Sequence, residues 1–396
     1  MKNKGTFSLN KEKPFYSWYQ YVEGYSEELV ASELERIPNA KSVFDPFGGS
    51  GTTMIFASLN GLMSYYCEIN PMMQWVSNTK INSARLSFQN IDKVLQYKDI
   101  IKEKVKNKNY SRVVLPEDGF NKFYDPDVRK QLIGITGIIN KEIAESFIRD
   151  VFLIPLISLV VKVSNMQKSG DLRYATEKEL KRKNKDVVGQ YLEKLDTVIN
   201  ELQQFGSRLT TDTVCLADDA RDINEENLVD CIITSPPYLN GTNYIRNTKL
   251  ELNALGILKC EDDLPLFHSK GIIAGINNVS NKRNLEFKHF SYVDEVVDEL
   301  KKVAYDRRIP LMILGYFDNM YYVFLKMARI LKNGGILSLD IGDSQFSGVH
   351  IKTHDLLEKI AEECGFTKFD EEIVRKRISN GGMVLSQRIL RFKLNK

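Results

Sequence analysis

The stretch KSVFDPFGGSGTTMIFASLNG, residues 41–61, leaves this chain few ways to fold. Val43 and Phe44 begin an apolar strand, the bend runs from Asp45 to Gly51, and a helix follows to about Asn60. LMSYYCEINP then predicts a second strand ending at Glu68. Strand, glycine-rich turn, helix and strand open a doubly wound α/β sheet. That rhythm then breaks: helical spacing in NIDKVLQYKDIIKEKV and VVGQYLEKLDTVINELQQF predicts a large, mostly helical insertion over 81–205. The α/β pattern resumes with TVCLADDARDI, LVDCIITSPPY and YYVFLKMARILKNGGILSLDIGD, and two terminal strands close the sheet as an antiparallel hairpin. Residues 1–80 thus hold the first half of the sheet and 206–396 the second, with a further insertion over 255–312.

At 396 residues the chain exceeds what one compact core usually holds, which fits such insertions. The formal charge of +3 permits a nucleic-acid partner without arguing for one. Five scattered cysteines form no CxxC pair and have no zinc-type His spacing, so no metal is expected. Cys67, Cys215 and Cys231 lie in or beside apolar runs and read as small buried core residues. The first residues lack an apolar signal core, and FLIPLISLVVKV from Phe152 is too short to span a bilayer. A soluble, cytoplasmic protein with no membrane partner is expected.

The loop DPFGGSGTT fits some ligands and refuses others. Glycines at 48, 49 and 51 let backbone approach a ligand closely, and the helix start offers unpaired N–H groups. A Walker-type phosphate loop needs a Lys before the Ser/Thr, and none is present. A dinucleotide fingerprint needs a third Gly where Met54 stands. An adenosyl ligand without phosphates remains, with Asp45 facing a cationic amino-acid part and Glu68 the ribose hydroxyls. The bland alternative is a tight turn with no ligand, and the acceptors on both sides of the loop weigh against it.

DCIITSPPYLN, residues 230–240, ends an apolar strand in two prolines and an aromatic. Each proline holds the residue before it extended and has no N–H, so the bend offers carbonyls and one hydroxyl with few competing donors. Such a surface suits an exocyclic amino group of a nucleobase, and Tyr238 supplies a ring on which a base can stack. Taken alone, the stretch serves equally as a rigid turn with an exposed Tyr.

Together the two motifs resemble the amino-methyltransferases of DNA, a family with a DPFxGSGTT loop and a [DNS]PP[YFW] element. The resemblance implies a Rossmann-like, doubly wound, seven-stranded methyltransferase sheet with S-adenosylmethionine as cofactor. Asp45, Phe47, Gly48, Gly49, Ser50, Gly51, Thr52 and Thr53 would form the cofactor loop, Glu68 of CEINP would bind the ribose, and Asp219 of ADDAR the adenine. Ser235, Pro236, Pro237 and Tyr238 would receive the target base. PFYSWYQYVEGYSEELVASEL resembles the segment that closes over the methionine end. The block order excludes the permuted class in which SPPY comes first. The insertion falls before ADDAR, which leaves the target-recognition arrangement open.

The resemblance also implies the reaction. Ser at the first motif position goes with cytosine N4 and Asp or Asn with adenine N6, so Ser235 points to N4-cytosine. Cytosine-C5 chemistry needs a Pro-Cys nucleophile, and the chain has no Pro-Cys pair. The expected partner is double-stranded DNA with its target base flipped out, and a cognate restriction endonuclease is a possible second partner. For gripping DNA, Tyr244 and Arg246 follow SPPY closely, and SGDLRYATEKELKRKNK offers Arg173, Lys181 and Arg182. That stretch reads equally as a solvated helix face with Glu177 and Glu179 interleaved. Rival readings are an adenine-N6 enzyme, an RNA or protein amino-methyltransferase, and a catalytically idle DNA-binding module.

Overall fold

The structure is a computed structural model and describes residues 4–239, 244–268, 271–279, 286–379 and 381–395. At its centre lie seven strands: β1 (Ser42–Asp45), β2 (Met63–Cys67), β3 (Thr213–Ala217), β4 (Val229–Thr234), β5 (Leu331–Gly342), β6 (Phe366–Ile378) and β7 (Val384–Leu394). Their order across the sheet is β6-β7-β5-β4-β1-β2-β3. Neighbours from β5 through to β3 pair parallel, and β7 runs antiparallel to both β5 and β6. This is the doubly wound α/β sheet that the strand and helix pattern predicts, closed by its antiparallel hairpin.

Alternation along the strands explains why both faces are covered. Val43, Cys231 and Ile233 join Leu29 and Ala57 on one face. Their neighbours Phe44 and Ile232 point the other way and pack with Leu337, Leu339 and Phe324. Two helices frame the first crossover, α1 (Thr52–Leu59) and α2 (Pro71–Asn78). Asn70 caps α2 by accepting the Met72 N–H, and Pro71 at its first turn needs no such bond.

Between β2 and β3 the long helices Ile91–Asn107, Pro126–Glu142, Ser146–Ile157 and Val187–Phe205 share a core that includes Ile101, Ile135, Phe152, Tyr191 and Leu195. The same core continues under the glycine loop through Met54 and Met72 and takes in Trp18. The apolar run from Phe152 is buried helix to Ile157 and resumes at Val160–Val163. A hairpin of Met166–Ser169 and Asp171–Tyr174 interrupts the helices. Arg173 therefore stands on a strand, not on the helix face read from the sequence.

Cys67 and Cys231 are buried, but Cys215 is exposed, which corrects the reading of it as a core residue. The reason is position: β3 is an edge strand, and its neighbour Val214 is also 40% exposed. Among the described residues no helix is long and apolar enough to cross a membrane.

Candidate active site

The strand order reverses direction between β1 and β4, and in such sheets ligands bind where the carboxyl ends of the strands part. A cavity of about 320 Å3 opens there. Pro46 to Ser50 follow β1, Glu68 to Asn70 follow β2, Asp218 to Ala220 follow β3, and Ser235 to Tyr238 follow β4. Asp340 and Gly342, from the end of β5, complete this wall. The fold thus brings two motifs almost two hundred positions apart into one chamber.

The glycine loop needs its glycines for two different reasons. Gly49 and Gly51 have φ of +51° and +89°, a region where a side chain is strained. At Gly48 the obstacle is space, since a Cβ would stand 2.8 Å from both Met54 and Tyr66. Phe47, Gly48, Gly49, Ser50 and Thr52 line the cavity, whereas Asp45, Gly51 and Thr53 lie outside its lining. The Asp45 carboxylate is buried and accepts from Tyr25 Oη at 2.7 Å, Thr234 Oγ1 at 2.6 Å and the Phe47 N–H at 3.0 Å. Burial raises its pKa against the pull of those donors. Asp45 ties β1, β4 and the N-terminal segment together from behind the loop.

Glu68 does face the cavity. Its Oε2 accepts the Gly49 N–H at 2.7 Å and its Oε1 the Asn70 N–H at 2.8 Å. Burial pushes its pKa up to about 7, with the two backbone donors opposing. A residue absent from the sequence reading stands behind the loop: Lys80, fully buried, donates to the Tyr19 carbonyl at 2.9 Å and the Ser50 carbonyl at 3.2 Å. Desolvation lowers its pKa to about 7, helped by Lys194. Only a lysine inside an otherwise helical, polar stretch marked it in the sequence.

All four residues of SPPY line the cavity, and a second missed residue organises them. Asp340 accepts from Tyr238 Oη at 3.1 Å and from Gln387 Nε2 at 2.9 Å, and the Ser235 hydroxyl lies close enough to the same carboxylate to lower its pKa. Burial raises Asp340 to about 6, and Gln387, Tyr238 and the nearby Ser235 hydroxyl hold it from rising further. The Tyr238 ring lies against Gly342, where a Cβ would come within 3.0 Å of Cε2. A carboxylate in the otherwise apolar strand end ILSLDIG was the available signal.

Asp219 borders the cavity, accepting the Arg221 N–H at 2.9 Å and its guanidinium at 2.6 Å. Its neighbour Asp218 also borders it and accepts from Gln74 at 2.8 Å. Tyr244 lines the cavity, whereas Arg246 is exposed outside its lining. Arg173, Lys181 and Arg182 also lie outside it, and Arg173 is held at 2.9 Å by both oxygens of Glu179. Lys181 and Arg182 are exposed, while Lys183 and Lys185 turn inward to backbone carbonyls around the end of the Val160–Val163 helix. The polar stretch after SPPY falls partly outside the described residues, at 269–270 and 280–285.

Comparison with known proteins found no matching family model. The chain is 25% identical over 400 residues to the Type II methyltransferase M.AvaI of Nostoc sp. and of Anabaena variabilis, covering 91% of this chain and 81% of theirs. It is 23% identical over 439 residues to the Type II methyltransferase M.BsoBI of Geobacillus stearothermophilus, covering 96% of this chain and 84% of that one. A shorter match, 28% over 232 residues, covers 54% of this chain and 50% of the Type II methyltransferase M.MvaI of Kocuria varians.

Proposed function

We propose that this chain is a DNA methyltransferase of a restriction-modification system that transfers the methyl group of S-adenosylmethionine to the exocyclic N4 amino group of cytosine. One observation carries the reading: the glycine loop and SPPY wall the same cavity, with Tyr238 anchored on Asp340. The long matches to Type II methyltransferases support it.

The cavity's chemistry suits that cofactor. Glu68, Asp218 and Asp219 stand around the glycine loop, and the loop itself contains no Lys or Arg to attract phosphates. A sulfonium-bearing adenosyl compound has positive charge and hydroxyls to offer, which match carboxylate acceptors. Glu68 would take the ribose hydroxyls and Asp219 the adenine amino group, with Phe47 packing nearby. S-adenosylmethionine supplies an electrophilic methyl group; the rest is done by the chain's own groups.

An exocyclic amino nitrogen is a poor nucleophile because its lone pair is delocalised into the ring. An ionised carboxylate only accepts, so the Ser235 hydroxyl beside Asp340 would donate to it and turn its lone pairs toward the base. Ser235 Oγ and the Pro236 carbonyl then hold the amino hydrogens and favour a pyramidal nitrogen. Positioning and preorganised acceptors supply most of the acceleration, without a covalent intermediate. The base must leave the duplex, at a cost of about a few kcal/mol that stacking on Tyr238 partly offsets. Cytosine over adenine rests on Ser235 at the first position of the motif. Tyr244 would contact the flipped nucleotide, and Arg246, Lys181, Arg182 and, once released from Glu179, Arg173 the phosphates. The segments 81–205 and 255–312 would flank the duplex.

The test is methyl transfer from labelled S-adenosylmethionine to unmethylated genomic DNA, bulk RNA and protein in parallel, with calorimetric titration of the cofactor. Label in DNA and saturable cofactor binding are expected. Label in RNA or protein alone, or no cofactor binding, refutes the reading.

A further inference from the structure

The closing hairpin is longer than the sheet it closes. β7 pairs with β5 only from Gln387, opposite Gly342, to Lys393, opposite Ile336. Beyond Gly342, Lys376–Ile378 and Val384–Ser386 continue as a pair, tied to the end of β5 by the Asp343 N–H, which donates to the Ser386 carbonyl at 2.9 Å. They form a two-stranded ribbon that projects past the carboxyl ends of the strands, on the side where the cavity opens.

The side chains on this ribbon are not those of an ordinary solvated turn. Arg375 and Arg377, two positions apart and so on one face, are exposed and border the cavity. Arg377 donates to the Asp343 carbonyl at 3.2 Å, and neither arginine has a carboxylate partner among the described residues. Elsewhere on the same two strands Arg388 is neutralised by Glu371 and Arg391 by Glu33, Asp370 and Glu372, whereas Lys393 at the opposite end has no carboxylate partner among the described residues. Among the described residues, the two arginines of these strands that lack a carboxylate partner, Arg375 and Arg377, are thus the two that border the cavity. At the tip, the cross-strand partners Ile378 and Val384 are 75% and 57% exposed.

We infer that this ribbon is the element that grips duplex DNA beside the extruded nucleotide. Arg375 and Arg377 hold the phosphates flanking it, and the apolar pair Ile378 and Val384 packs against the opened base stack. Three physical points support this occupant. A two-stranded ribbon fits a DNA groove. Arginine's planar fork matches a phosphate. An apolar wedge at a base step lowers the cost of holding it unstacked. The inference rests on the DNA-methylating reading above and adds where the chain holds its substrate.

The test compares wild type with R375Q/R377Q and with I378D/V384D. It measures binding to a random-sequence duplex across a salt series, methyl transfer to unmethylated genomic DNA, and calorimetric binding of S-adenosylmethionine. For R375Q/R377Q the slope of log affinity against log salt is expected to flatten by about 0.9 per lost contact, or about 1.8 in all. For I378D/V384D a fall in methyl transfer of roughly tenfold or more is expected. Cofactor binding should stay at the wild-type value in both, which also reports an intact fold. An unchanged salt slope together with unchanged transfer overturns the inference while wild-type methylation still stands. If the wild-type chain itself neither binds nor methylates DNA, the functional reading falls first and this inference with it.

Discussion

Tyr238 and Asp340, 102 positions apart in the chain, meet at 3.1 Å where the ends of β4 and β5 come together beside the cavity. The contact fixes the ring at its hydroxyl while Gly342 supports its face. The Ser235 hydroxyl lies beside the same carboxylate and lowers its pKa, so one buried acid faces both the hydroxyl and the ring of SPPY.

Asp340→Asn keeps the shape and removes the charge that both hydroxyls address. Turnover should fall roughly a hundredfold, with cofactor affinity changed by less than about twofold. Wild-type turnover should also rise with pH through about 6 as the carboxylate ionises. The variant's pH profile should lack that rise, which a purely structural role would not remove. Equal profiles for the two proteins would refute the assignment.

Glu68 predicts the pH dependence of cofactor binding. Its carboxyl is held up to about 7, and only the ionised form accepts hydroxyl donors with both oxygens. Titration calorimetry should therefore find S-adenosylmethionine bound roughly tenfold more weakly at about pH 6 than at about pH 8. Glu68→Gln should bind weakly at both values. A steep pH dependence that survives in the variant would assign it to another group.

Lys80 links the N-terminal segment to the glycine loop through two carbonyls. Its folded pKa of about 7 lies below the ordinary lysine value of 10.5. Between these the unfolded chain binds a proton that the folded one does not, so this group's contribution to stability grows as pH rises from 7 toward 10. Urea unfolding should show that gain in the wild type and a smaller one in Lys80→Met. The same gain in both proteins would contradict the assignment.

Arg391 on β7 and Glu33 on the helix Glu27–Leu34 form a buried pair, with two contacts of 2.7 Å. Glu33→Ala leaves the guanidinium with only Asp370 and Glu372 at the sheet's edge. It should cost about 3–5 kcal/mol in urea denaturation. Glu33→Leu combined with Arg391→Met should recover most of that loss. A single variant as stable as wild type would show the pair to be dispensable.

These residues also mark how far the sequence could be read. The glycine loop and SPPY were legible because each is a contiguous stretch whose backbone demands show in its own residue types. So were the helical spacing of 91–107 and 187–205 and the terminal hairpin. Asp340, Gln387, Lys80 and the arginines of the ribbon were not, because their roles depend on which strand lies beside which. Gln387 reaches Asp340 only because β7 inserts between β5 and β6. The overhang of Arg377 exists only because the pairing of β5 with β7 stops at Gly342. Asp45 shows the converse: its place at the end of β1 was clear, but the donors from Tyr25 and Thr234 that turn it away from the cavity were not.

The central claim is that an amino nitrogen of a DNA base receives the methyl group at SPPY. It is tested most directly by digesting DNA treated with the chain and S-adenosylmethionine to nucleosides and identifying the modified one by mass and retention. The account predicts N4-methyldeoxycytidine from the wild type and almost none from Ser235→Ala, whose cofactor affinity should be unchanged. N6-methyldeoxyadenosine in its place would move the target to the other amino base, and 5-methyldeoxycytidine, or no methylated nucleoside at all, would contradict the account.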